Sequence, residues 1–282
     1  MIRLIAIDID GTLLDSRGQL PELNRRAVAA AVAQGVAVAL VTGRSFHFAR
    51  PVATLLDDAV TLIVNNGAIT RSATGETAAR RLLPRPVAHD LLVATAGYRA
   101  DAAVIFDRPV ARQVLYDRMD WTHANRRGYF EKNRPYLAQV PDLAETLADE
   151  PDDPIQVMFS GGVARMRELA ARLEGLPAAS DWTIALTEYP HRDFTLVDVL
   201  TAGCSKGTAL AELAAALGVA AAEVMAVGDN LNDREMLAWA GVPVVMGNAP
   251  AELRANGWRV TGTNDEAGLA RAIEGMVLGE AL

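Results

Sequence analysis

Two carboxylates, Asp8 and Asp10, stand two residues apart where the apolar run from Ile2 to Ile7 gives way to Gly11 and Thr12. Such a run reads as a strand buried in a parallel sheet. The period of two then sets both carboxylates on one side of the extended backbone. Like charges that close repel unless a cation lies between them or one carries a proton. This is the chemistry of a magnesium site, or of a nucleophile with an acid partner. A hydrogen-bonded Asp–Gly turn is the plain alternative.

Further polar groups close the strands that follow. The run 36–41 ends in Thr42, Gly43 and Arg44. The run 61–64 ends in Asn65, Asn66 and Gly67. Ser205, Lys206 and Gly207 open an Ala- and Leu-rich helix, and the run 224–227 ends in Gly-Asp-Asn-Leu-Asn-Asp, with Asp229, Asn232 and Asp233. If these strand ends are neighbours, one cleft gathers Asp8, Asp10, Thr42, Lys206, Asp229 and Asp233. Four carboxylates together call for a cation, and magnesium takes hard oxygen ligands and phosphate oxygens. A phosphate needs donors as well. Thr42 has a hydroxyl, Lys206 an ammonium, and the glycine-rich turns offer backbone N–H groups. A carboxylate can also attack phosphorus to give an aspartyl-phosphate. Each residue has a plainer use: Thr42 near a helix cap, Lys206 on a helix surface, Asp229 and Asp233 in a capping turn. Lysine usage favours the ammonium. Lys132 and Lys206 are the chain's two lysines, while its other basic residues are all arginine. Cys204 has no histidine close in sequence, and the four histidines lack metal-ligand spacing.

The elements that must position these groups alternate strand and helix. Helices are expected from Pro21 to Gln34, from Ser45 to Leu56, from Lys206 to Leu217 and from Asp265 to Met276, with strands between them. This alternation predicts an α/β fold with a doubly wound parallel sheet. The pattern breaks at the prolines near Leu83 and resumes at about Leu200. Residues 1–83 and 200–282 are therefore expected to form one core, and residues 84–199 an inserted α+β domain. Within the insert, 117–133 reads as a polar, aromatic stretch. Composition narrows the function classes. The 27 basic and 35 acidic residues give a formal charge of −8, and no basic block marks a nucleic-acid partner. No signal peptide or membrane span is expected, and a single cysteine fits a reducing cytoplasm.

The fragments Asp-Ile-Asp-Gly-Thr-Leu (8–13), Val-Thr-Gly-Arg (41–44), Ser-Lys-Gly (205–207) and Gly-Asp-Asn-Leu-Asn-Asp (228–233) together resemble the four motifs of the haloacid dehalogenase superfamily. Asn-Asn-Gly-Ala (65–68) and the position of the insert resemble its Cof-type phosphatases. The resemblance implies a Rossmann-like core with a cap and a magnesium-dependent phosphatase of small phosphorylated metabolites such as sugar phosphates. It implies Asp8 as nucleophile and Asp10 as acid–base. Thr42 and Lys206 would hold the phosphoryl group, with Gly43, Arg44, Asn66 and Asn232 lining the phosphate and substrate site. Mg2+ would be held by the Asp8 carboxylate, the Asp10 main-chain carbonyl and Asp229, supported by Asp233. Trp121, His123, Tyr129, His191 and Arg192 of the cap are expected to include substrate contacts. Alternatives on the same motifs are a phosphomutase or phosphotransferase, and a non-catalytic phospho-ligand sensor. The expected partners are small molecules, not nucleic acid or membrane, with the chain as monomer or homodimer.

Overall fold

The computed structural model describes residues 1–56 and 60–279. Contacts divide the chain into two units, Met1–Arg80 with Ser205–Leu282, and Arg81–Cys204.

The first unit begins with β1 (Leu4–Ile7), every residue of it buried. Then come α1 (Glu22–Ala33), β2 (Ala37–Val41), α2 (Phe46–Thr54), β3 (Thr61–Val64), β4 (Ile69–Ser72) and β5 (Thr77–Arg80). The second unit holds α3 (Arg85–Ala94), β6 (Ala102–Ile105), β7 (Val114–Tyr116), α4 (Ala124–Lys132), β8 (Leu137–Gln139), α5 (Leu143–Asp149), β9 (Gln156–Gly161), α6 (Val163–Glu174), β10 (Trp182–Tyr189) and β11 (Phe194–Thr201). The chain returns to the first unit with α7 (Lys206–Ala216), β12 (Val224–Gly228), α8 (Arg234–Trp239), β13 (Val242–Val245), α9 (Ala251–Arg254), β14 (Arg259–Val260) and α10 (Gly268–Ile273).

The first unit's sheet runs β14-β13-β12-β1-β2-β3-β4-β5. Strands β14 to β3 are parallel. The expected doubly wound parallel sheet carries an addition at one edge, where β4 and β5 add antiparallel to β3. Their sequences, ITRS and TAAR, lack a run of large apolar residues, and β5 is largely exposed. An edge strand with one wet face needs no such run. β1 lies between β2 and β12, so the strand order reverses on either side of it. That switch point, at the carboxyl ends of the strands, is where open α/β sheets hold ligands. On one face Leu4, Ala6, Ala39, Val41, Ile63, Val224 and Ala226 pack against Leu210 of α7 and Met236 and Leu237 of α8. Apolar burial on this scale is the dominant favourable term holding the strand ends in place.

The second unit's sheet runs β10-β11-β9-β6-β7-β8 and is antiparallel except for the pair β7–β8. Its core joins Val104, Leu115, Val157, Phe159, Val197 and Val199 to Leu91 and Leu92 of α3, Leu143 and Leu147 of α5, and Met166, Leu169 and Leu173 of α6. The polar stretch 117–133 contains α4. Its Arg126 is fully buried, and its guanidinium donates to Asp101 Oδ1 at 2.8 Å and to Ser160 Oγ at 3.1 Å. A buried guanidinium is tolerable only when paired and hydrogen-bonded in this way. Among the described residues, no helix is long and apolar enough to cross a membrane.

Candidate active site

The end of β1 delivers Asp8, and a tight turn follows. Gly11 has φ +84° and its Cα faces the Asp229 carboxylate. A Cβ there would lie 2.3 Å from Asp229 Oδ2, so only glycine fits. The next side chain, Thr12, turns its hydroxyl to Asp229 Oδ1 at 2.9 Å. Lys206 is placed by a capping box. The Ser205 hydroxyl accepts from the Thr208 N–H at 3.1 Å, and the Thr208 hydroxyl accepts from the Ser205 N–H at 2.9 Å. This fixes Lys206 as the first residue of α7, and its ammonium donates to Asp8 Oδ1 and Asp233 Oδ1, each at 2.6 Å. The loop after β12 is tied by Asp233, whose Oδ2 accepts from the N–H groups of Asp229 and Asn230, both at 2.9 Å.

Asp8, Asp229 and Asp233 each offer an oxygen within 4.8 Å of the others, and all three residues are buried. Burial pushes the Asp8 carboxyl up to about 7. Lys206 pulls the other way, while Asp233 and Asp10 add to the rise. Burial likewise holds Asp229 well above the usual carboxylate range, reinforced by Asp8 and Asp233. For Lys206 burial opposes the charge, but the Asp233 and Asp8 carboxylates outweigh it and raise the ammonium's pKa. Three carboxylates and one ammonium leave a formal charge of −3 + 1 = −2 in a buried space. A divalent cation with a taste for oxygen matches that residual charge and that donor set. Asp233 has both oxygens engaged by N–H donors, those of Lys206, Asp229 and Asn230, so it braces the ammonium and the loop. Asn232 has a buried Oδ1 with no hydrogen-bond partner among the described residues.

Asp10 and Thr42 lie outside this cluster of three. The Asp10 carboxylate is gripped by Arg44, whose Nε donates to Oδ2 at 2.7 Å and Nη2 to Oδ1 at 2.6 Å. Arg44, expected at the phosphate and substrate site or in a salt bridge, turns its guanidinium to this acid. Thr42 is buried, and its Oγ accepts from the Arg44 N–H at 3.1 Å. Asn66, at φ +53°, accepts from Asn232 Nδ2 at 2.9 Å and presents its amide to Gly43. The Asn66 N–H donates to the Thr42 carbonyl at 3.0 Å, and the Asn65 N–H to the Arg44 carbonyl at 2.9 Å. The Asn65–Asn66–Gly67 turn thus straps the loop after β2 to the loop after β12.

Sequence reasoning left Thr12 and Asn248 without a role. Asn248 donates to the Gly11 carbonyl at 2.9 Å and reaches Asp229 Oδ2 at 3.4 Å. Its signal was present, since Asn248 closes the run 242–245 as the other polar groups close theirs. In the second unit, His123 Nε2 lies 2.9 Å from the Asp193 carbonyl, and its ring is tilted against Phe194 at 5.0 Å. Trp121 stands edge-on to Tyr116, and the Arg192 guanidinium lies 6.0 Å from the Tyr189 ring centre. His191 belongs to the short turn Pro190–Arg192, and Tyr129 to α4.

The sheet, its switch point and the acid–lysine cluster define an α/β protein with a candidate cation site at its strand ends. Comparison with known proteins agrees. The profile of the haloacid dehalogenase-like hydrolases matches residues 5–273. The phosphatase YwpJ of Bacillus subtilis is 30% identical over 97% of this chain and 99% of its own length. The 5-amino-6-(5-phospho-D-ribitylamino)uracil phosphatase YcsE of the same organism is 30% identical over 98% and 96%. A solved haloacid dehalogenase-like hydrolase from B. subtilis superposes with a TM-score of 0.79 at 26% identity, covering 98% of this chain and 100% of that one. The chain belongs to the haloacid dehalogenase-like hydrolases and is an enzyme of their phosphomonoester-hydrolase type.

Proposed function

We propose that this enzyme is a magnesium-dependent phosphatase of small phosphorylated metabolites, such as sugar phosphates, and that it works through an aspartyl-phosphate on Asp8. The observation that carries the reading is the buried cluster of Asp8, Asp229 and Asp233 with a single ammonium among them. The Asp8 carboxylate attacks phosphorus, and the bond to the leaving oxygen breaks with its electron pair going to that oxygen. Asp10 supplies the proton that the leaving oxygen takes up. A water then attacks the aspartyl-phosphate and gives its proton to Asp10, and the electron pair of the Asp8–phosphorus bond returns to Asp8. Lys206, the Thr42 hydroxyl and the Gly43 backbone hold the phosphoryl oxygens, where charge develops. Asn66 and Asn232 hold the flanking loops. Asp8, Asp229 and the Asp10 main-chain carbonyl are the groups that would hold Mg2+, with Asp233 supporting Lys206 and the loop. When bound, the ion supplies Lewis acidity toward the phosphoryl oxygens and relieves the repulsion among the acids.

The unit 81–204 serves in this reading as the cap that selects the leaving group, with Trp121, His123, Tyr129, His191 and Arg192 as its candidate contacts. YcsE, by its name, acts on a phosphorylated ribitylaminouracil, which fits a small phosphate ester as the substrate class. A cytoplasmic location suits such substrates. The test is phosphate release from a panel of phosphate esters with Mg2+. Wild type releases phosphate steadily with water as acceptor, and Asp8→Asn and chelator-treated enzyme release at least ~10^3-fold less, on the scale of losing a covalent nucleophile. Turnover near wild type in Asp8→Asn would overturn the reading, and isomerised ester without phosphate release would favour a mutase.

A further inference from the structure

The Arg44 side chain donates from three nitrogens, and none of these bonds goes to the acid–lysine cluster. Nε and Nη2 form a two-pronged grip on the Asp10 carboxylate, and Nη1 donates to the Phe48 carbonyl in the first turn of α2 at 3.3 Å. The backbone of Arg44 is fixed at both ends of the residue. Its N–H goes to the Thr42 hydroxyl, and its carbonyl accepts from Asn65. The guanidinium is therefore a rigid bracket between α2 and Asp10.

Stability does not explain the bracket. The Asp10 side chain is 41% exposed and that of Arg44 28%. Ion pairs this open to solvent contribute at most about 1 kcal/mol to folding. A planar fork on both oxygens does fix the plane and direction of a carboxylate, which a single contact would leave free to rotate. Asp10 is the group that needs a fixed direction, since a proton passes between it and an oxygen on the phosphorus.

We infer that Arg44 is the positioning residue of the acid–base Asp10, and that it does not bind the substrate phosphate. The inference rests on the role given above to Asp10. It makes Arg44 an adjunct of leaving-group protonation, so its importance depends on how badly the leaving oxygen needs a proton. An alkoxide leaves only with one; a nitrophenolate leaves without.

The experiment compares kcat/KM, which reports the steps up to leaving-group departure, for an alkyl phosphate and for p-nitrophenyl phosphate. The variants are Arg44→Gln, Arg44→Lys, Asp10→Asn and the double variant Asp10→Asn/Arg44→Gln. The expected result is a loss of ~10- to 100-fold for Arg44→Gln on the alkyl ester, in the range of general acid catalysis. On the nitrophenyl ester the loss stays below about threefold, and inhibition by inorganic phosphate is unchanged. Arg44→Lys, which keeps the charge but not the fork, recovers little. In the Asp10→Asn background, removing Arg44 costs nothing further. The Arg44 Nε–H resonance in 15N NMR gives a readout free of turnover, and it shifts in Asp10→Asn. Equal losses on the two esters, weaker phosphate inhibition, full rescue by Lys, additive losses in the double variant or an unmoved Nε–H signal would each overturn the inference. Failure of the phosphatase reading looks different: wild type would release no phosphate from either ester.

Discussion

At the scale of single residues, the site turns on charges placed where charge is expensive. Asp8 carries its carboxyl at about 7 against an ordinary 3.8, with burial as the main cause. The folded state thus binds a proton more tightly than the unfolded chain between those values. Linkage fixes the sign: stability is fully present below about pH 4 and declines as the pH rises toward 7. In the metal-free protein the melting temperature should fall across that range, and Asp8→Asn should flatten the decline. Mg2+ must displace the proton, so its stabilising shift should be larger at pH 7.5 than at pH 5. Thermal melts at the two pH values, with and without the ion, read both effects; a shift independent of pH would contradict them. Thr42→Ala removes one hydroxyl donor and should lower kcat/KM by ~10- to 100-fold without changing the melting temperature by more than a few degrees. The acids were legible in the sequence because they follow the ends of apolar runs, and Lys206 because it is one of two lysines in a chain that otherwise uses arginine. The Arg44–Asp10 pair was not, because a partnership across 34 positions depends on where two loops meet.

At the scale of elements, short devices aim the functional side chains. The capping box of α7 starts the helix at Lys206, so Ser205→Ala should cost about 1 kcal/mol of stability and also displace the ammonium. The expected result is a modest fall in melting temperature with a disproportionate loss of kcat; a fall in stability alone would show that the cap does not aim Lys206. Gly67 has φ +102°, and a Cβ there would sit 2.1 Å from the Ser205 carbonyl oxygen. Gly67→Ala should therefore disturb the start of α7 from the far side, lowering both phosphate release and the melting temperature. The sequence read these elements unevenly. The strand 61–64 matches the structure end for end, since it is a clear apolar run. The β4–β5 hairpin went unread, because Thr, Arg and small residues carry no such period at a solvated edge. The helix α4 was read as a polar stretch for a related reason: its ANRRGYFEK has little apolar face, and its order comes from contacts such as the buried Arg126 guanidinium.

At the scale of the whole molecule, each unit has its own apolar packing among the described residues, one cluster around β1 and another around β6, β9 and β11. The candidate metal ligands all belong to the first. Calorimetry should accordingly show a transition that Mg2+ raises and another that it leaves in place; one transition moving as a whole would mean that the two cores unfold together. The strand order has a consequence for how the protein is made. Leu4 pairs with Val224, so the central strand waits for a neighbour 224 − 4 = 220 positions downstream. At ribosomal speeds of ~5–20 residues per second, that strand spends on the order of ten to forty seconds with an unsatisfied apolar flank. The stretch 81–204 emerges whole in the interval. Nascent chains halted short of Val224 should therefore be the species that chaperones hold and proteases clear.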